Sequence, residues 1–209
     1  MRYLALGDSY TIGTGASDDA HAWPSIIAER LGAELTNPAV NGYTTLDLIR
    51  EELPLVKRLQ PDLVSVLIGV NDLVQGRSSN QYRDSLRTIY DAIEGRRVIA
   101  VSIPTWSYVP AAEDFGGTDQ VEKLTAVFND VARVEATRRG FTWIDIGDAS
   151  TSGVGSEGWI ASDQLHPGDA QYAVWAETIW SAIRPLWSEG AGEQDDGHDE
   201  RDDTKHQEN

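Results

Sequence analysis

Leu63-Val64-Ser65-Val66-Leu67-Ile68 is an almost unbroken apolar run, followed at once by Gly69-Val70-Asn71-Asp72. A strand with one wet face alternates apolar and polar residues, whereas a run apolar throughout suits a strand covered on both faces by helices. Val98-Ile99-Ala100-Val101 has the same character, so both runs are expected near the middle of a sheet. Working outward, five strands are expected, over 2–7, 34–39, 62–69, 97–103 and 141–146. The segments between them carry apolar residues at helical spacing. Trp23, Ile26, Ile27 and Leu31 follow this period up to a stop at Gly32, Tyr82, Leu86, Ile89 and Ile93 up to Gly95, and Val121 to Val134 up to Gly140. A last helix, introduced by Pro167, is striped by Tyr172, Trp175, Ile179, Ile183 and Leu186. Strands alternating with helices make an α/β domain, and the aromatic stripe of the last helix is read as core.

The chain has 209 residues, a length suited to one domain, and it lacks cysteine, which removes disulfides, thiolate metal sites and a cysteine nucleophile. No apolar run nears the roughly 18 residues of a membrane span, and no signal peptide is visible, so a cytoplasmic protein without stable membrane insertion is expected. The net charge of −17 argues against a nucleic-acid partner, because such binding rests on Lys and Arg neutralising phosphates. Residues 189–209 supply −7 of that charge and carry no large apolar side chain. They are expected to form a disordered acidic tail behind a domain spanning 1–188. An acidic chain with three Lys against fourteen Arg suits a salt-loving host or a GC-rich genome, and the charge by itself implies only solubility.

Ligands of open parallel sheets bind beyond the carboxyl ends of the strands, and polar residues stand there in four places. Ser9 follows the first strand in Gly7-Asp8-Ser9-Tyr10, and Gly42 follows the second in Asn41-Gly42-Tyr43-Thr44-Thr45. Asn71 follows the third, and Asp163-Gln164-Leu165-His166-Pro167 follows the fifth. A serine hydroxyl becomes a nucleophile when a base takes its proton and a carboxylate orients that base. Asp163 and His166, three residues apart, can face one point from a single turn. The N–H groups of Ser9 and Gly42 and the Asn71 amide are suitable donors for an oxyanion.

These four blocks, in this order, resemble those of a bacterial or archaeal SGNH (GDSL-like) serine hydrolase. The first reads Gly-Asp-Ser-Tyr where the family's commonest form has Leu last, and Tyr43 stands where a small or acidic residue often follows the glycine. The resemblance covers 2–187 and implies a flavodoxin-like three-layer α/β/α sandwich with a five-stranded parallel sheet. It also implies an esterase or acyl hydrolase with Ser9, Asp163 and His166 as catalytic residues, and Ser9, Gly42 and Asn71 around the oxyanion. No cofactor or metal is expected, the partner is a small-molecule ester, and the oligomeric state is left open. An acyltransferase on the same site and an inactive binding domain are the alternatives. Tyr10, Tyr43, Trp106 and Tyr108 are candidate substrate-binding residues, the last two in an aromatic loop over 104–117 that either covers the site or packs on the body. Asp8 and Asp72 are expected to bond loop N–H groups.

Rival motifs are weaker. Gly153-Val154-Gly155-Ser156-Glu157-Gly158 matches a dinucleotide fingerprint in spelling but does not open a helix directly after a strand. No serine has glycine two places before and after it, as a nucleophile elbow requires.

Overall fold

A computed structural model describes residues 1–188; the acidic segment 189–209 lies outside the described residues. All five expected strands form: β1 (Arg2–Gly7), β2 (Glu34–Thr36), β3 (Leu63–Leu67), β4 (Arg97–Val101) and β5 (Thr142–Ile144). They make one parallel sheet in the order β2-β1-β3-β4-β5. The two edge strands are three residues long, shorter than the sequence suggested, because each finds a partner on one side only. β3 is the middle strand and is buried along its whole length, as its unbroken apolar run requires.

The expected helices α2 (Trp23–Leu31), α6 (Ser79–Ile93), α7 (Thr118–Thr137) and α9 (Asp169–Ser188) are present. Gly32 closes α2 in the left-handed conformation, the stop that its lack of a Cβ permits. Short helices α1 (Ser9–Ile12), α5 (Val70–Val74) and α8 (Gly147–Thr151) begin within a few residues of strand ends. An unexpected helical stretch runs from α3 (Thr45–Asp47) through a π-helical turn (Leu48–Glu52) into α4 (Leu53–Leu59). Right-handed crossovers in this strand order put α2 and α9, which pack together, on one face, and α4, α6 and α7 on the other. The layers are therefore α/β/α.

The stripe of α9 is core, with Tyr172, Trp175, Ile179 and Ile183 fully buried. Trp180 and Trp187 sit at its margin under Arg30 and Arg97. Across the α6–α7 seam, buried Glu135 receives Arg87, Arg138 and Arg139, so the carboxylate stays charged despite its burial.

This order reverses direction between β1 and β3: the chain leaves β1 for β2 on one side and returns to β3 on the other. A crevice opens at such a switch point beyond the strand ends. β1 and β3 are the strands that end in Gly7-Asp8-Ser9 and Gly69-Val70-Asn71.

Candidate active site

β1 delivers Ser9 to the first position of α1. Gly7 makes this possible, since a Cβ there would lie 2.1 Å from Thr11 Oγ1 and 2.3 Å from the Leu67 carbonyl oxygen. Asp8 caps the helix by accepting the Tyr10 N–H at 3.1 Å. Ser9 is 6% exposed, and its N–H, in the first turn, has no carbonyl within the helix to bond.

Asn71 ties the ends of three strands together. Its Nδ2 donates to the Tyr43 carbonyl at 2.9 Å, next to Gly42, and reaches Asp8 Oδ2, next to Ser9, at 3.5 Å. Gly42 adopts φ +81° in the turn closed by the Tyr43 N–H on Val40 O at 3.2 Å. That conformation suits glycine. Asp72, beside Asn71, accepts the Thr45 N–H at 2.8 Å and its hydroxyl at 2.5 Å, which fixes the start of α3 against the end of β3. Asp8 and Asp72 thus have the structural bonds expected of them.

His166 arrives from the far end of the chain on a tight turn. Its Nδ1 bonds Asp163 Oδ2 at 2.6 Å, and Asp163 Oδ1 accepts the N–H groups of Leu165 and His166 at 3.0 and 2.9 Å. Gln164 takes a left-handed φ of +61° to close this turn, a strained conformation that the surrounding bonds impose. The Ala161 N–H on His166 O and the Gly168 N–H on Trp159 O, at 2.8 and 2.9 Å, brace it as a small antiparallel bridge. Burial acts to raise the Asp163 pKa, but bonds from the His166 ring and the two N–H groups outweigh it and hold it below the ordinary value. An ionised Asp163 accepts the Nδ1 proton, leaving the Nε2 lone pair of a neutral imidazole free.

The His166 ring stands edge-on to Tyr10, centroids 6.0 Å apart, and Tyr10 stands edge-on to Trp175 at 5.8 Å. Tyr10 is a buried wall behind the pair. The Ser9 hydroxyl makes no hydrogen bond among the described residues, and substrate-free sites commonly keep this contact long until substrate binds.

The aromatic loop packs on the body. Trp106 is buried with its indole N–H on Thr125 Oγ1 at 3.1 Å. The Tyr108 hydroxyl donates to Ser150 O at 2.8 Å and accepts from Trp159 Nε1 at 3.2 Å and from Gln171 Nε2. The polar atoms of both side chains are thus committed within the protein: Tyr108 braces the loop leading to Asp163 and His166, and Trp106 ties the aromatic loop to α7. Tyr43 is half-buried and meets Asn71 through its carbonyl. The segment Gly153–Gly158 forms turns after α8, and a Cβ at Gly153 would run into the Trp159 ring at 2.4 Å. Gly153 is thus required by packing, while Gly155 and Gly158 take the left-handed φ of +91° and +72° that glycine permits.

One residue escaped the sequence reading. Glu52 is 1% exposed, accepts the Gly7 N–H on Oε2 at 2.9 Å, and has no partner for Oε1. Burial pushes its pKa up to about 8, the Gly7 bond opposing and Asp8 adding to the rise. Burial likewise pushes Asp8 up to about 7, opposed by the Tyr10 N–H and assisted by Asp72. The available signal was spacing: Leu48, Glu52 and Val56 share one helical face, and all three are buried.

Beside the site lies an open groove of about 420 Å³, bordered by Ile12, Gly15, Asp19, Val40 and Asn41. Among the described residues no helix is long and apolar enough to cross a membrane, and no cluster of His, Asp or Glu has the geometry to hold a metal.

Residues 5–174 match the family model described as GDSL-like Lipase/Acylhydrolase. The chain is 24% identical to "Esterase TesA" of Pseudomonas aeruginosa over 194 residues, 88% of each chain. It is 28% identical to a "Lipase" of Streptomyces rimosus, over 78% of this chain and 75% of that one. The solved structure of a lipase/acylhydrolase from Enterococcus faecalis superposes with a TM-score of 0.71 at 21% identity, covering 88% of this chain and 96% of that one, a likeness of fold.

Proposed function

Because the chain belongs to the GDSL-like lipase/acylhydrolase family and is thereby a serine ester hydrolase, we propose that Ser9 is its nucleophile, His166 the base and Asp163 the residue that orients that base. Ser9 Oγ attacks the ester carbonyl while His166 Nε2 takes its proton. The oxyanion is held by the N–H groups of Ser9 and Gly42 and by the Asn71 amide. Collapse expels the alcohol, which receives the proton from His166. Water, activated by the same imidazole, then releases the acid from Ser9.

The observation that carries this reading is the 2.6 Å bond of His166 to Asp163, made by a turn that packs beside the Ser9 helix through Tyr10. The substrate is a small-molecule ester. The test is Ser9→Ala: ester turnover should fall to background while the thermal unfolding midpoint stays within a degree or two of wild type. Near-normal turnover by a folded Ser9→Ala protein would end the assignment.

A further inference from the structure

A cavity of about 510 Å³ lies between α7 and the end of β5, walled in part by Trp106, Asp130, Trp143 and Asp145, and none of Ser9, Gly42, Asn71, Asp163 or His166 is in its lining. The groove of about 420 Å³ has none of these five in its lining either, but it lies between the segment that follows Ser9 and the one that precedes Gly42, and it borders the turn of His166. Ile12 ends the short helix that Ser9 begins. Val40 and Asn41 lead directly into Gly42. Gly15 backs onto the catalytic turn, where a Cβ would stand 3.1 Å from His166 Cβ and 2.5 Å from Pro167 O.

The groove's chemistry is specific in two respects. Ile12 and Val40 are 39% and 41% exposed, so two aliphatic side chains face water without a covering element. The lining carries one charged residue, Asp19, and no Lys or Arg. Asp18 adds a second acid beside Asp19, bonded at 2.8 Å to His21. A ligand part bearing phosphate or carboxylate would meet like charge and no partner.

On the reading of Ser9 and His166 given above, the oxygen that leaves with the alcohol must lie within reach of His166, because that imidazole protonates it. The part of the ester continuing past His166 and Gly15 is therefore the alcohol. We infer that the groove between Ile12 and Val40 is the leaving-alcohol subsite, and that it takes an uncharged alcohol with an aliphatic or aryl face rather than a phosphate-bearing one.

Two substrate series test this. One holds the acyl group at acetate and varies the alcohol through methyl, butyl, hexyl, benzyl and glycerol phosphate; the other holds methyl as alcohol and lengthens the acyl chain. Wild type should prefer hexyl and benzyl acetate over the phosphate-bearing ester by roughly a hundredfold or more in kcat/KM. Val40→Trp, which fills the groove from an exposed position, should raise KM for hexyl and benzyl acetate roughly tenfold. The preference for hexyl over methyl acetate should fall with it, while the acyl-length profile and the melting temperature hold. Asp19→Lys should narrow the discrimination against the phosphate-bearing ester, and it provides a second readout if Val40→Trp folds poorly.

A Val40→Trp effect confined to the acyl series, or no effect in either series together with an unmoved Asp19→Lys preference, would overturn the assignment. Retained turnover in Ser9→Ala would instead remove the reading on which it rests.

Discussion

In Asn71 the architecture and the proposed chemistry meet in one side chain. Its amide donates to the Tyr43 carbonyl at 2.9 Å and, at 3.5 Å, more weakly to Asp8, so on the proposed chemistry the second N–H is the one that would turn to a developing oxyanion. An interaction made in the transition state and not with the ground-state carbonyl lowers kcat when removed. Asn71→Ala should lose roughly 10²–10³ in kcat, about 3–4 kcal/mol, with a smaller rise in KM as the Gly42 loop loses its tie. Asn71→Asp should be at least as damaging, for it sets a third carboxylate beside buried Asp8 and Asp72. Kinetics and thermal unfolding on the same samples decide: a sharp drop in the midpoint with kcat unchanged would make Asn71 a turn residue only. Ser9 and Asn71 stood out because each comes within a few residues of an apolar run that ends a strand, whereas Gly42, Asp163 and His166 lie further past β2 and β5 and stood out only by their motifs. What Tyr10, Trp106 and Tyr108 do was not legible, since an aromatic residue in a loop reads alike whether it lines a pocket or braces one.

At the scale of elements, the stretch from α3 to α4 is the one that sequence patterning missed, and it holds the residue with the largest electrostatic consequence. Leu46, Leu48, Ile49, Leu53, Leu55 and Leu59 blur any single stripe, Pro54 interrupts them, and the π-helical turn over Leu48–Glu52 shifts the period. In the sequence only its spacing from Leu48 and Val56 sets Glu52 apart from the exposed Glu51 beside it, and the shifted period blurs that signal. The folded pKa of Glu52, about 8, lies above its ordinary 4.5. From pH 5 to 7 the folded state therefore keeps a proton that the unfolded chain has lost, and stability must fall as pH rises through this window. The slope is about 1.4 kcal/mol per pH unit for one such proton, and Asp8, pushed up to about 7, acts in the same direction. Glu52→Gln keeps an acceptor for the Gly7 N–H and removes one titration. Urea unfolding at pH 5, 6 and 7 should show a slope shallower by roughly 1 kcal/mol per pH unit than wild type; identical slopes would mean that Glu52 is ionised in the folded protein.

The whole molecule follows from the strand order. Two central strands with unbroken apolar runs demand helices on both faces, and the reversal between β1 and β3 opens a crevice where Ser9 and Asn71 emerge. The chain's last helix and the turn before it return His166 to that point from more than 150 residues away. The architecture was readable because its strands are apolar throughout and its longer helices end at glycines. The edge strands were overextended for want of any local signal marking where one-sided pairing stops. On the proposed chemistry this fold makes Ser9 a nucleophile with His166 as its base, and covalent trapping probes that assignment at the serine itself. Treated with a fluorophosphonate, the intact protein should gain one adduct that peptide mass spectrometry places on Ser9, with labelling that slows severely in His166→Ala. An adduct on another serine, or a folded wild-type protein that takes none while hydrolysing esters, would contradict it.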